Sequence, residues 1–116
     1  MKLLENYKRI LAARGVGLDG LGLREVALRR SDAIDAIDAL RAGSVPILGG
    51  DVYSEREGTI EPAYANWHVD QDSGEGETDF AERSCLKAES YVEMYPRTSG
   101  EEPLFVLVVP EFKMDS

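Results

Sequence analysis

Six consecutive apolar residues, Leu104 to Val109 (LFVLVV), constrain the fold of this chain more than any other segment. A strand with one face in water alternates apolar and polar residues, whereas an unbroken apolar run is typical of a strand buried on both faces. We therefore predict that this segment is a central strand of a sheet.

Three other segments have the apolar spacing of amphipathic helices. They cover residues 2–14, 32–42 and 78–95. Gly15 ends the first pattern and Gly43 ends the second, in keeping with the preference for glycine just beyond a helix. The third segment carries acidic residues in its first turn, where the helix dipole favours negative charge.

The middle of the chain has the composition of a β-hairpin. Val45–Tyr53 and Thr59–Val69 read as strands, and the polar segment Ser54–Gly58 between them reads as a turn. Pro62 cannot donate to a sheet ladder, so we place the second arm at an edge of the sheet. Glu25–Leu28 is a further, shorter candidate strand.

The predicted order is α-β-α-β-β-α-β, in an α/β (α+β) fold with a small sheet of about four strands, an N-terminal helix and two packed helices. Without the first helix, the βαββαβ pattern is compatible with a ferredoxin-like topology, as it is with other small α/β sandwiches. We expect one domain over residues 1–116, a loop at 97–103 and a frayed tail at 112–116. The glycine-rich connector 15–22 is not expected to pack a core.

The net charge of −9 is concentrated in one window, Asp51 to Glu82. This window holds ten of the 22 acidic residues and only one of the 13 basic residues, Arg56, so the rest of the chain is neutral. Such a surface attracts cationic partners and repels nucleic acid and anionic lipid. The charge distribution favours a protein that binds a basic partner over a catalyst.

A single cysteine, Cys85, excludes an internal disulfide and fits a reducing compartment. The start of the chain lacks the apolar stretch of a secretory signal, and no run approaches membrane-spanning length. We therefore expect a cytoplasmic protein. Cys85 lies on the apolar face of the third helix in acidic surroundings, which favours a buried structural cysteine over a catalytic pair with His68.

Two segments of the acidic window resemble parts of known sites. Gly49-Gly50-Asp51 is either a recognition loop that presents Asp51 or a place where the sheet needs a bulge or a close backbone approach. Asp70–Glu75 resembles the start of a calcium loop, but Glu75 stands where glycine is required and Ala81 where a bidentate glutamate is required. We predict no catalytic residue, no metal site and no cofactor.

The segment Val45–Tyr53 (VPILGGDVY), followed by Gly58-x-Ile60-Glu61-Pro62-x-Tyr64-x-Asn66-Trp67, resembles the signature of a family of bacterial immunity proteins, the immunity protein 40 family. The similarity covers roughly residues 22–109. It continues with Ser84, Ala88, Tyr91, Tyr95-Pro96 and the strand Phe105–Val108.

The resemblance implies a small cytoplasmic protein, made beside a polymorphic or contact-dependent toxin, that binds and neutralises this toxin without catalysis and without a cofactor. It does not identify the toxin or the residues that contact it. A nuclease toxin has a basic groove because it must hold phosphates, and an acidic protein is suited to cover such a groove.

Two other hypotheses stay open. One is a metal-dependent hydrolase that uses Asp51, Glu61, Asp70 and Asp72. The other is an adaptor that pairs with another chain through the hairpin edge. Trp67, the sole tryptophan, is either the core anchor of the hairpin, which we favour, or an interface hot spot. The predicted partner-binding residues are Asp51, Glu55, Glu57, Glu61, Trp67, Asp70, Asp72, Glu75 and Glu77.

Overall fold

The computed structural model describes residues 2–110, so the tail predicted for residues 112–116 lies outside the described part of the chain. Within residues 2–110, three α-helices and four of the five strands follow the predicted order, and the fifth strand is a short additional one. None of these helices combines the length and the apolar character that crossing a bilayer requires. The elements are α1 (Lys2–Arg14), β1 (Val16–Gly17), β2 (Val26–Arg29), α2 (Arg30–Ala42), β3 (Gly49–Arg56), β4 (Thr59–His68), α3 (Glu77–Met94) and β5 (Glu102–Val108).

The strands form one antiparallel sheet in the order β1-β2-β5-β3-β4. The apolar strand β5 lies between β2 and β3, and its residues Leu104, Phe105, Val106 and Leu107 are all buried. This confirms the predicted central strand. The β4 strand lies at an edge of the sheet. Pro62 predicted this position, since an edge strand needs no N–H donor on its outer side.

The sheet differs from the expected arrangement in two respects. It has five strands instead of about four, because the two-residue β1 pairs with Val26 and Ala27 of β2. The strand order also differs from that of the ferredoxin-like fold, in which the first and third strands of the βαββαβ pattern are central. Here the second and last strands of that pattern, β3 and β5, are central. Both arrangements have the same order of elements along the chain.

Both faces of the sheet are covered, but by different elements. The helices cover one face, where Ile37 and Phe105 belong to the larger core. On the other face, Leu18 of the glycine-rich connector is 1% exposed and packs in a smaller core with Leu104 and Val106. The expectation that this connector would not pack a core is therefore wrong. The apolar strand needs cover on both faces, and the connector supplies part of it.

The first strand of the hairpin begins at Gly49 instead of Val45. The preceding segment runs beside α3, where the Ile47 N–H donates to Ser84 Oγ at 3.0 Å. In addition, Cys85 Sγ donates to the Val45 carbonyl at 3.3 Å. Side chains of α3 therefore make hydrogen bonds that a neighbouring strand would otherwise make, and the apolar composition of the segment could not reveal this.

Candidate functional site

Trp67 lies in the core under α3, where only 7% of the residue is exposed. Its ring stacks on Tyr91, with the ring centroids 4.5 Å apart and an interplanar angle of 28°. Tyr95 and Phe105 continue this aromatic series. Because Nε1 of the indole has no hydrogen-bond partner among the described residues, packing alone holds the ring. The structure thus supports the interpretation of Trp67 as a core anchor.

Gly49 and Gly50 make room for this tryptophan. Gly50 is the cross-strand partner of Trp67, and a Cβ atom on Gly50 would lie 2.2 Å from Cη2 of the ring and 2.6 Å from the Val106 carbonyl oxygen. A Cβ atom on Gly49 would lie 2.3 Å from the Trp67 carbonyl oxygen. The two glycines therefore permit close packing, and the bulge of the hairpin lies elsewhere.

That bulge lies in β4 at Ala63 and Tyr64, where the cross-strand pairing jumps from Val52–Ala65 to Tyr53–Pro62. Tyr64 has a left-handed φ of 59° and is 90% exposed. A non-glycine residue in this conformation costs about 1–3 kcal/mol, and a ring so exposed gains little packing in return. Exposed tyrosines are frequent hot spots of protein interfaces. The sequence left this role to Trp67 as the less favoured of two interpretations, whereas the structure buries Trp67 and exposes Tyr64.

The predicted acidic residues follow the hairpin and the loop after it, so they are spread along the β4 side of the molecule. Glu57 occupies the turn before β4 and Asp70 follows its other end, roughly 30 Å away at the usual rise of a ten-residue strand. Asp51 is half-buried on the sheet face opposite the helices. Its cross-strand neighbours are Asn66 of β4 and Val106 of β5. These acids form an extended surface and not one compact cluster.

Three arginines from outside the acidic window reach into it and neutralise part of its charge. Arg29 binds Glu55 at 3.2 Å, Arg83 binds Glu75 at 2.7 Å, and Arg41 binds Glu82. The remaining negative charge lies at the hairpin and at the start of α3. Among residues 2–110, no salt bridge is formed by Asp51, Glu57, Glu61, Glu77 or Asp79.

Arg83 organises the acidic loop that resembles a calcium loop. Its Nε and Nη2 donate to the two carboxylate oxygens of Glu75 at 2.8 and 2.7 Å, and Nη2 also donates to the Asp70 carbonyl at 2.8 Å. The N–H of Asp72 donates to Glu75 Oε1 at 2.9 Å. In the described part of the chain, no three or more His, Cys, Asp or Glu residues are placed to hold a metal ion. The loop is thus built around the guanidinium group of Arg83.

We expect this loop to loosen in acid. The hydrogen bonds from Arg83 and from the Asp72 N–H lower the pKa of Glu75 from 4.5 to about 2. Because the folded-state pKa is the lower one, the ionised carboxylate stabilises the fold fully above pH 4.5 and progressively less as the pH falls toward 2. An NMR titration of the Glu75 carboxyl carbon should show the low pKa in the wild type and a higher one in Arg83→Gln. Equal Glu75 pKa values in the two proteins would contradict the hydrogen bonds from Arg83 to this carboxylate.

The residues considered for catalysis are separated in the structure. Cys85 is buried in α3, and this burial raises the pKa of its thiol to about 11, as suits a structural cysteine. His68 lies at the exposed end of β4, with Nε2 2.8 Å from Asp70 Oδ1. Asp51 and Glu61 lie on opposite faces of the hairpin by strand alternation. The structure therefore gives the hydrolase hypothesis no support.

The edge of the sheet is poorly suited to adding a strand. In residues 2–110, the outer side of β4 has no strand partner. Pro62 lacks an N–H, and the bulge at Tyr64 interrupts the row of backbone groups that another strand would need. Such features protect an edge against pairing with other chains. They disfavour the adaptor hypothesis, in which this edge pairs with another chain.

The residues that carry the family resemblance divide by exposure. Gly50, Trp67 and Phe105 are buried and define the core, while Tyr64 and Asn66 are exposed. Packing accounts for the first group. The exposed residues of the second group have no comparable structural role, and they lie on the β4 side together with the acidic residues.

No curated protein and no solved structure shows significant similarity to this chain. A family model described as Immunity protein 40 matches residues 17–109, which run from β1 to the residue after β5. The match includes the whole hairpin, the acidic loop and both helices that follow β2. The chain therefore belongs to the Immunity protein 40 family, and this family implies an immunity protein that acts against a toxin.

Proposed function

We propose that this protein binds a cognate toxin domain in the cytoplasm and neutralises it as a stoichiometric inhibitor, without catalysis. The family match over residues 17–109 carries this proposal. The matched region contains strands β2 to β5 with the exposed surface along β4, so the proposed binding surface and the scaffold that holds it belong to the same unit.

The surface charge supports a basic toxin of the nuclease type. Glu57 and Glu61 at the hairpin and Glu77 and Asp79 at the start of α3 form no salt bridge within residues 2–110. Their negative field is therefore available to a partner. A nuclease must carry positive charge where it holds phosphates, and opposite fields of this kind accelerate encounter between two proteins.

We expect association with the toxin to be fast at low salt and to slow about tenfold or more as the salt concentration rises toward 0.5 M, because screening removes the steering. The double variant Glu57→Ala/Glu61→Ala should associate more slowly than the wild type and should show a weaker salt dependence. The measurement is stopped-flow or surface-binding kinetics with the purified cognate toxin domain.

A matched control is the double variant Asp19→Ala/Asp38→Ala, which removes the same charge from exposed positions outside the hairpin. Its association rate should lie closer to that of the wild type. If association ignored salt and both double variants, the electrostatic mechanism would be wrong, although inhibition by binding would stand. If the purified toxin neither bound the protein nor lost activity in its presence, the immunity role itself would be refuted.

A further inference from the structure

A surface groove leads from the last turns of α3, past Tyr95 and Pro96, to the start of β4. It consists of three neighbouring cavities of about 500, 260 and 300 Å³. The first and second share Tyr95 and Pro96 in their walls, and the second and third share Ser54 and Glu101. We call this depression the α3–β4 groove. It reaches from the last turns of α3 to the turn of the hairpin.

One end of the groove is largely apolar, although Lys87 and Ser90 also line it. Met94 lines it and is 79% exposed, an unusual state for a large apolar side chain. The wall beside Met94 is fixed, since Tyr91 stacks on the buried Trp67. Arg30 Nη1 also donates to the Tyr95 carbonyl at 2.9 Å, which fastens the chain just after α3. A rigid apolar depression of this size can receive a side chain without first changing shape.

The other end of the groove is acidic. It is lined by Glu57, Glu61 and Glu101, with Arg56 as the one basic residue in that wall. Arg56 is bound to Glu101, which leaves the carboxylates of Glu57 and Glu61 without a salt bridge in the described residues. The groove thus offers apolar contact at one end and uncompensated negative charge at the other.

We propose that the α3–β4 groove receives a segment of the toxin that carries an aliphatic or aromatic side chain and, further along, a lysine or arginine. The apolar side chain packs on Met94 and Tyr95, and the basic side chain lies between Glu57 and Glu61. This proposal rests on the proposed function and names the chemistry of the toxin segment that is bound.

Charge complementarity selects this occupant over a second copy of the chain. Two copies that docked through this groove would bring their acidic ends toward a protein of net charge −9. Like charges brought together at an interface cost several kcal/mol. A basic segment of the toxin gains from the same field, and the Glu57 and Glu61 carboxylates become paired when it binds.

The test compares groove variants with matched controls in binding to the full toxin domain by calorimetry. We expect Glu61→Lys to raise Kd about tenfold or more and Met94→Gln to raise it about fivefold, because each removes one of the two complementary contacts. Asp38→Lys makes the same change in net charge on the exposed side of α2, and Leu86→Gln alters a 44% exposed residue of α3 outside the groove. Both controls should change Kd less than about twofold. All four positions are exposed or partly exposed, so folding is retained, and thermal unfolding checks this.

A second readout locates the contact directly. A photoreactive p-benzoylphenylalanine at position 94 should cross-link to the toxin, and the same group at position 86 should not. If the wild type bound the toxin while the groove variants behaved like the controls, the groove proposal would fail and the immunity role would stand. Absence of any binding by the wild type would remove both proposals. Self-association of the wild type that Glu61→Lys abolishes would assign the groove to a second copy and overturn the proposal.

Discussion

Replacing Trp67 with alanine should lower the free energy of unfolding by about 3–5 kcal/mol, the largest effect that we expect from one substitution. The ring is almost fully buried, stacks on Tyr91 and fills the space above Gly50. Alanine would leave a cavity that the rigid hairpin cannot close. Urea unfolding followed by far-ultraviolet circular dichroism measures this change, because the substitution removes the only tryptophan fluorophore.

The glycine under the ring permits a sharper test. Gly50→Ala should destabilise the wild type by about 1–3 kcal/mol, since its new Cβ atom overlaps the indole. In the Trp67→Ala background this cost should shrink, because two of the three nearest contacts, both with the indole, are removed and the contact with the Val106 carbonyl oxygen remains. Gly20→Ala is the control, since a Cβ atom there would meet nothing within 4 Å. Strict additivity of the two substitutions would show that Gly50 does not serve the packing of Trp67.

Replacing Tyr64 with glycine should separate binding from stability, because we expect it to weaken toxin binding without destabilising the fold. Glycine adopts φ of 59° without strain. We therefore expect the free energy of unfolding to stay the same or to rise by up to about 1 kcal/mol, once the entropy cost of glycine is set against the relieved strain. If Tyr64 contacts the toxin as an exposed aromatic hot spot, the same variant should lose about 2 kcal/mol of binding free energy. That loss is about thirtyfold in Kd.

Tyr64→Phe serves as the matched variant, because it keeps the aromatic ring and the backbone strain while it removes the hydroxyl. Its affinity should remain within about threefold of the wild type if ring burial dominates. Toxin affinity that is unchanged in Tyr64→Gly would place Tyr64 outside the interface. A marked loss of stability in Tyr64→Gly would instead mean that the side chain supports the fold.

Much of the fold could be predicted because most of its elements carry a clear local residue pattern. Helical periodicity predicted α1, α2 and α3 to within two residues at each end, since each helix buries one continuous apolar face. The unbroken run at Leu104 predicted the central strand, and Pro62 predicted the edge. Each of these features leaves a pattern in the residues of a single element.

The candidate site could be predicted less well, because exposure and charge pairing depend on residues distant in the sequence. Trp67 and Tyr64 are both aromatic residues of β4, and their sequence neighbourhood does not distinguish them. The bulge in the pairing of β3 and β4 leaves Trp67 buried and Tyr64 exposed. In the sequence, Glu75 is one acid of the acidic window, and only the fold shows that Arg83 binds it. Glu101 comes from a loop with no pattern of its own, and only the fold brings it beside Glu61.

The sequence by itself therefore determined the element order, the buried central strand, the edge position of β4, the acidic character of the hairpin side and the family. Tertiary structure alone decided the strand order, the cover that the glycine-rich connector provides and the division of the acids into neutralised and uncompensated groups. The physical reason is that periodicity and local composition record which face of an element avoids water. They do not record which distant residue packs against that face, and the surface proposed for toxin binding depends on such contacts.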